Sequence, residues 1–202
     1  MPSDPLPREF YDRDPTTVAR QLLGKTLQRR TRRGLTGGTI VEVEAYLAAN
    51  DSAAHSYRGP TPRNAAMFGP AGHLYVYSIH ARYCLNAVTE ASGAASAVLI
   101  RAIEPLAGIT VMQARRGRMA LVDLARGPAR LCEALDVDRD LDGWDLTCGS
   151  RIWIDDTDAL STRSFRTGQS KRIGVTSAYE ARLRFFVDGS RFVSGTRRDH
   201  SK

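Results

Sequence analysis

Residues 38–47 read GTIVEVEAYL, and the fold turns on how this stretch is built. Val41, Val43 and Ala45 alternate with Glu42, Glu44 and Tyr46, so the apolar residues share one face of a strand and the polar ones the other. Taken alone, that alternation describes a half-solvated strand. With Tyr46 beside the two glutamates at the strand's end, it equally describes the lip of a pocket. A polar segment follows from about residue 48 to 72, rich in Asn, Ser, Gly and Pro, with His55 in its first half. Loops this long within a compact domain are functional or disordered.

Working outward, Asp14-Pro15 reads as an N-cap followed by proline at the first helical position. Val18, Ala19, Leu22 and Leu23 then form an apolar stripe that Gly24 ends. Residues 25–32 form a second strand, joined to 38–47 through RRGLTGG. HLYVYSIHARYCLNAV, 73–88, predicts two strands around a tight connection near His80-Ala81-Arg82. ASAVLIRAIEP, 95–105, is nearly continuous in apolar residues and reads as a central strand. Helices are expected over 106–119 and 127–135, a strand near 153–156, a polar loop over 157–170 and a closing hairpin over 183–194 around Asp188-Gly189-Ser190. Together these predict one α+β domain over 1–202 with a mixed, mostly antiparallel sheet, and flexible tails at 1–8 and 195–202.

The chain has 202 residues, 42% hydrophobic and 25% charged, as in ordinary globular proteins. No apolar run approaches the roughly 18 residues of a membrane span, and the N-terminus lacks a signal peptide's basic and apolar segments. Three cysteines, widely spaced, make a disulfide framework unexpected. A reduced, cytoplasmic protein with no membrane partner is the expectation. Lys and Arg exceed Asp and Glu by 29 to 22, giving a net charge of +7, and nearly all the excess is arginine. Arginine's planar fork suits phosphate, so the balance fits a nucleic-acid partner, although an arginine-rich codon bias would give the same totals.

Several chemistries are excluded by spacing. His55, His73, His80 and His200 form no HxxxH or HExxH pattern, and the cysteines are not paired, so no metal is expected. The HxE…PCxxC signature of zinc deaminases is missing. So are the phosphate-binding GxxxxGK[ST] and GxGxxG loops and the GxSxG nucleophile elbow. What remains is the Glu42–Glu44 pair, two tyrosines, Tyr75 and Tyr77, on one face of their strand, and Asn86 and Arg101 within strands. Each has a plain structural reading: solvated face, core packing, buried hydrogen-bonder.

The motifs EVEAY, AAHSYRG, TPRNAAMF, GHLYVY, YCLN, VLIRAIEP, GPARLC and LRFFVDGSRFVS occur in that order. Together they resemble the alkyladenine type of 3-methyladenine DNA glycosylase, a family of base-excision repair enzymes. The resemblance runs from about residue 8 to 135, resumes near 172–194, and hardly touches 136–170. It implies a curved antiparallel sheet flanked by helices, no cofactor, and a monomer acting on double-stranded DNA with a damaged purine, in a bacterial cytoplasm and on the nucleoid when bound.

Position by position, it implies that Glu44 activates the attacking water, with Arg101 and the main chain at Val187 helping to hold it. Tyr46, His55 and Tyr77 match the cage around a flipped-out base, and Asn86 the residue that crowds an exocyclic amino group. Arg63 and its neighbours lie along the DNA backbone. The family commonly places a tyrosine at the hairpin tip to fill the gap in the duplex. Here the tip, SIHARYC at 78–84, is one residue shorter and lacks it, leaving Ile79 or His80 as the wedge and Arg82 beside them. Implied substrates are 3-methyladenine and 7-methylguanine, with hypoxanthine and etheno-adenine as further candidates. Competing readings are a non-catalytic nucleic-acid-binding module and a hydrolase of free nucleosides. The latter would leave the arginine excess unexplained.

Overall fold

The strand read from GTIVEVEAYL is longer than its alternation suggests, and it is the spine of the sheet. Eight strands are β1 (Thr26–Thr31), β2 (Gly34–Tyr46), β3 (Leu74–Ile79), β4 (Arg82–Thr89), β5 (Ser96–Ala107), β6 (Ile152–Asp155), β7 (Thr167–Ser170) and β8 (Arg184–Val187). Four α-helices are α1 (Arg8–Tyr11), α2 (Pro15–Leu22), α3 (Ile109–Arg116) and α4 (Pro128–Leu135). The structure, a computed structural model, describes residues 4–156, 164–196 and 199. The fold is α+β, as expected.

β2 is flanked along one edge by β5 and along the other by two strands in succession: β1 against its first half and β8 against Glu42–Glu44. The path runs β3-β4-β5-β2-β1-β6, with β7 attached through β8. Every strand pair among the described residues is antiparallel, so the mixed sheet expected from sequence is corrected to a wholly antiparallel one. Irregular register between β2 and β5 around Ile40–Val43 marks bulging where the carboxylates sit. Bulges sharpen local twist and curl a sheet.

α2 begins as predicted, with the Asp14 side chain accepting from the Thr17 amide at 2.9 Å. The main core gathers Val18, Leu22, Leu27, Ile40, Val43, Leu85, Ile100, Met112 and Leu131. A smaller cluster of Ala54, Met67, Tyr75, Val88 and Ala97 packs under the 48–72 loop, with Tyr46 and Tyr77 against it. That loop is therefore anchored, and it covers the end of the sheet that carries Tyr46.

Four expectations differ in detail. β5 continues through Ala107, so the predicted helix starts only at Ile109, after Gly108 turns the chain with φ 66°. The closing hairpin over 183–194 is not formed: β8 ends at Val187, and its partners are β2 and β7. Glu42 and Arg184 explain why, since burying them brings β8 onto β2 and leaves residues 188–194 to wrap back toward Glu42. The polar loop over 157–170 contains β7 at its end, while 157–163 lie outside the described residues. Of the expected tails, residues 1–3, 197–198 and 200–202 also lie outside them. Pro5 bridges to Asp155, the Leu6 amide donates to the Ile154 carbonyl at 2.8 Å, and Arg8 pairs with Asp145 at 2.6 Å, which differs from a flexible segment.

Gly38 of β2 lies opposite Pro105 of β5. A Cβ there would lie 2.2 Å from the Glu104 carbonyl oxygen and 2.9 Å from the Pro105 Cα, both backbone atoms that cannot swing away. Gly38→Ala is expected to lower unfolding free energy by about 1–3 kcal/mol, as overpacking does. Urea denaturation measures it, and an unchanged midpoint would show that the strands separate freely there.

Candidate active site

Glu42 and Glu44 have no solvent exposure, and Arg101, from β5 alongside, is buried with them. Arg101 Nε donates to Glu42 Oε1 at 2.9 Å, and its Nη1 lies 3.1 Å from Glu44 Oε1. Glu42 is further held by Arg184 Nε at 2.7 Å, by the Ser194 amide at 2.7 Å and by the Ser194 hydroxyl at 2.9 Å. Burial by itself would raise the Glu42 carboxyl, but the guanidiniums of Arg101 and Arg184 outweigh it and hold that group below the usual carboxylate range. Arg101 is likewise kept charged: burial opposes its charge, and Glu44 and Glu42 more than compensate. The solvated face considered for these glutamates is therefore replaced by a buried ion network.

Glu44 differs from Glu42 in what surrounds it. Its Oε1 accepts from the Ile173 amide at 2.8 Å, and its Oε2 accepts from the Tyr46 hydroxyl at 3.0 Å. Arg101, Ile173 and Tyr46 thus supply three donors, and a carboxylate accepts about four. One acceptor position is left on the side of the Tyr46 hydroxyl.

Tyr46 leads from this carboxylate into a cavity of about 510 Å³. His55, Tyr75, Tyr77 and Asn86 line it, as do Tyr57 and residues 174–177. His55 and Tyr77 meet edge to face with ring centroids 4.5 Å apart, and His55 Nδ1 lies 2.8 Å from the Tyr75 hydroxyl. Arg172 stacks on Tyr46 at 4.6 Å from the ring centroid and is itself clamped by both oxygens of Asp51, each at 2.7 Å. One face of Tyr46 is thereby covered by a fixed cation. Burial raises the hydroxyls of Tyr46 and Tyr77 and lowers His55, so all three rings stay neutral at pH 7. Neutral aromatic walls beside a carboxylate suit a flat, cationic guest.

The cavity brings together Tyr46, His55, Tyr77 and Asn86, with Ile79 at its rim and Glu44 and Arg101 behind Tyr46. Asn86 is 3% exposed, and its amide donates to the Tyr75 carbonyl at 2.8 Å. His80 and Arg82 are exposed on the β3–β4 turn, where His80 and Ala81 adopt φ of 49° and 60°. Two left-handed residues in a two-residue hairpin loop match the strand twist. Arg63 is exposed on the loop, and its carbonyl accepts from Arg139 at 3.2 Å. Val187 is the correction: it lines a separate cavity with Val41 and Glu104, because β8 pairs with β2 in a register that sets Arg184, not Val187, opposite Glu44. The main chain at Glu44 is that of Ile173, which sequence reading missed along with Tyr57 and residues 174–177. Ile173 is remote from Glu44 in the chain, and no local pattern marks it.

Breaking a buried ion pair on one side typically costs about 3–5 kcal/mol, so Glu42→Gln is expected to lose about that much stability in urea at pH 7. A carboxyl lowered in the folded state contributes stability above its unfolded value, near 4.3, and loses it as pH falls toward the lower folded value. The native protein's stability should therefore drop as pH falls below about 4, and Glu42→Gln should show a weaker acid dependence. Equal acid dependence in both would contradict the role given to Glu42.

A family model described as Methylpurine-DNA glycosylase (MPG) matches residues 9–191. A protein of Rhodopirellula baltica is 48% identical over 202 residues, covering 98% of this chain and 86% of its own. Another, of Methanoculleus marisnigri, is 48% identical over 190 residues, covering 94% of this chain and 98% of its own. Both carry the name "Putative 3-methyladenine DNA glycosylase". With a match of this extent, the chain belongs to the methylpurine-DNA glycosylase family.

Proposed function

We propose that the protein is a monofunctional DNA glycosylase that extrudes alkylated purines from duplex DNA and hydrolyses their N-glycosidic bond. The observation that carries this reading is the placement of Glu44: a buried carboxylate, fixed by Arg101 and the Ile173 amide and joined through the Tyr46 hydroxyl to an aromatic cavity. A stacked base cannot be attacked at its sugar, so it must be turned out of the helix, and damage lowers that cost. Tyr46, His55 and Tyr77 then hold the ring. Purines alkylated at N3 or N7 carry positive charge, which neutral aromatic faces attract.

Water bound at the remaining acceptor position of Glu44 attacks C1′ of the deoxyribose. The N-glycosidic bond breaks with its electron pair passing to the cationic base, which leaves neutral. Glu44 takes the proton of the attacking water, and its charge stabilises the developing oxocarbenium-like sugar. A cationic leaving group needs no second carboxylic acid, which fits Glu42's engagement with Arg101, Arg184 and Ser194. Asn86, tied to the Tyr75 carbonyl, is placed to crowd an exocyclic amino group. Ile79, 49% exposed on the hairpin beside the cavity, suits the apolar wedge that fills the vacated stack better than the more distant His80. Among the described residues, none that lines the cavity is a lysine, in keeping with hydrolysis rather than Schiff-base lyase chemistry.

Incubation with methylated duplex DNA, followed by chromatography of released bases, tests this reading. The native protein should release 3-methyladenine. Glu44→Gln should retain duplex binding and lose base release by about 10²–10⁴-fold, the usual contribution of a general base. Borohydride should trap no cross-link to abasic DNA. Base release by Glu44→Gln at the native rate, or a stable cross-link, would overturn the mechanism.

A further inference from the structure

A second concentration of charge lies where β1 turns into β2, away from the aromatic cavity. Arg29, Arg30, Arg32, Arg33 and Arg151 line one open depression of about 580 Å³, with Thr31 and a single acid, Asp136. That acid is shared with Arg115, 3.5 Å away. Arg30, Arg32, Arg33 and Arg151 are exposed. Among the described residues none of these four guanidiniums is ion-paired with a carboxylate.

Two of them are held in place without being neutralised. Arg30 lies over the Trp153 ring at 5.6 Å and Arg151 over Trp144 at 5.1 Å. Stacking fixes a guanidinium while leaving its N–H edge open to an anion. Arg29, buried beneath them, donates to the carbonyls of Arg30 at 3.0 Å, Arg151 at 3.2 Å and Asp136 at 3.3 Å. Burial, and then the neighbouring charge of Arg151, lowers its own affinity for a proton. Five like charges in one depression repel one another, and an anion relieves that repulsion.

The depression is not isolated. Asp136 also borders an adjoining one of about 380 Å³, lined by Ala81, Arg82 and Tyr83 of the β3–β4 hairpin, by Arg115, and by the acids Glu133 and Asp138. Ile79 of the same hairpin borders the aromatic cavity. The arginine cluster at the β1–β2 turn therefore adjoins the hairpin that borders the cavity, with a stretch of mixed charge between them. Four exposed forks spread across one depression suit a polyanion with regularly spaced phosphates better than one small anion.

We propose that this cluster, Arg30, Arg32, Arg33 and Arg151, binds backbone phosphates of the duplex flanking the extruded nucleotide, on one side of the lesion. The proposal rests on the glycosylase reading for the identity of the polymer. It predicts a footprint that extends beyond the hairpin and a corresponding share of the protein's salt-dependent affinity.

The test uses fluorescence anisotropy from about 50 to 200 mM salt, where backbone contacts dominate the slope. Three lesion-containing duplexes are compared: a short one, one extended by about ten base pairs on the 5′ side, and one extended equally on the 3′ side. Arg32 and Arg33 sit on an exposed turn, so R32A/R33A should fold. On one extended duplex, the slope of log K against log salt should fall in magnitude by about 1.8 in that variant, at about 0.9 for each phosphate no longer neutralised. R32K/R33K, which keeps the charges, should retain most of the slope, and the short duplex should bind all three proteins alike. An unchanged slope on both extended duplexes, or the same drop on the short one, would overturn the proposal. Equal protection of the arginines from phenylglyoxal by inorganic phosphate and by duplex would also overturn it, by identifying a small-anion site. Base release by the native protein is read separately, so a failure of the glycosylase reading is distinguished from a failure of the cluster.

Discussion

Glu42 and Glu44 are two carboxylates with no contact with solvent, set side by side against the guanidinium of Arg101. Burying charge is tolerable only when each ion is paired and its remaining valences are hydrogen-bonded. Much of the architecture follows from meeting that condition. β5 must lie along β2 to deliver Arg101, β8 must pair with the other edge of β2 to deliver Arg184, and the chain after β8 must return to set the Ser194 amide on Glu42. The irregular register around Glu42 falls where these demands meet.

This network divides the work between two chemically identical side chains. Glu42 meets Arg101, Arg184 and the amide and hydroxyl of Ser194, so its charge is fully committed to the fold. Glu44 has three donors, one of them a tyrosine hydroxyl at the edge of the cavity. Neighbours, not residue type, make one a structural anchor and the other a candidate base. Arg172 extends the pattern outward: clamped by Asp51 and stacked on Tyr46, it fixes an aromatic wall by electrostatics instead of by packing alone.

The parts of this arrangement that are local in sequence were legible there. The alternation in GTIVEVEAYL gave β2 and its polar face, the Asp14-Pro15 pair gave the start of α2, and the continuous apolar run at 95–105 gave β5. Tyr46, His55, Tyr77 and Asn86 were reached through ordered motifs, and they border one cavity. What stayed hidden depends on contacts between distant segments. Nothing near Glu44 marks the Ile173 amide as its partner, and the motif LRFFVDGSRFVS suggested a hairpin and a role for Val187 because its length and turn residues fit one. The need of Glu42 for Arg184 and Ser194 decides otherwise, and periodicity carries no trace of that need.

The central claim is that Glu44, held by Arg101 and joined through Tyr46 to the aromatic cavity, delivers water to the sugar of an extruded purine nucleotide. A crystal structure with duplex DNA carrying a cationic pyrrolidine in place of one deoxyribose, a mimic of the charged transition state, tests it most directly. The mechanism predicts the pyrrolidine beside Tyr46, with an ordered water bridging its ring to the Glu44 carboxylate. A pyrrolidine seated elsewhere, or a water held by a different side chain while Glu44 remains sealed behind Tyr46, would contradict it.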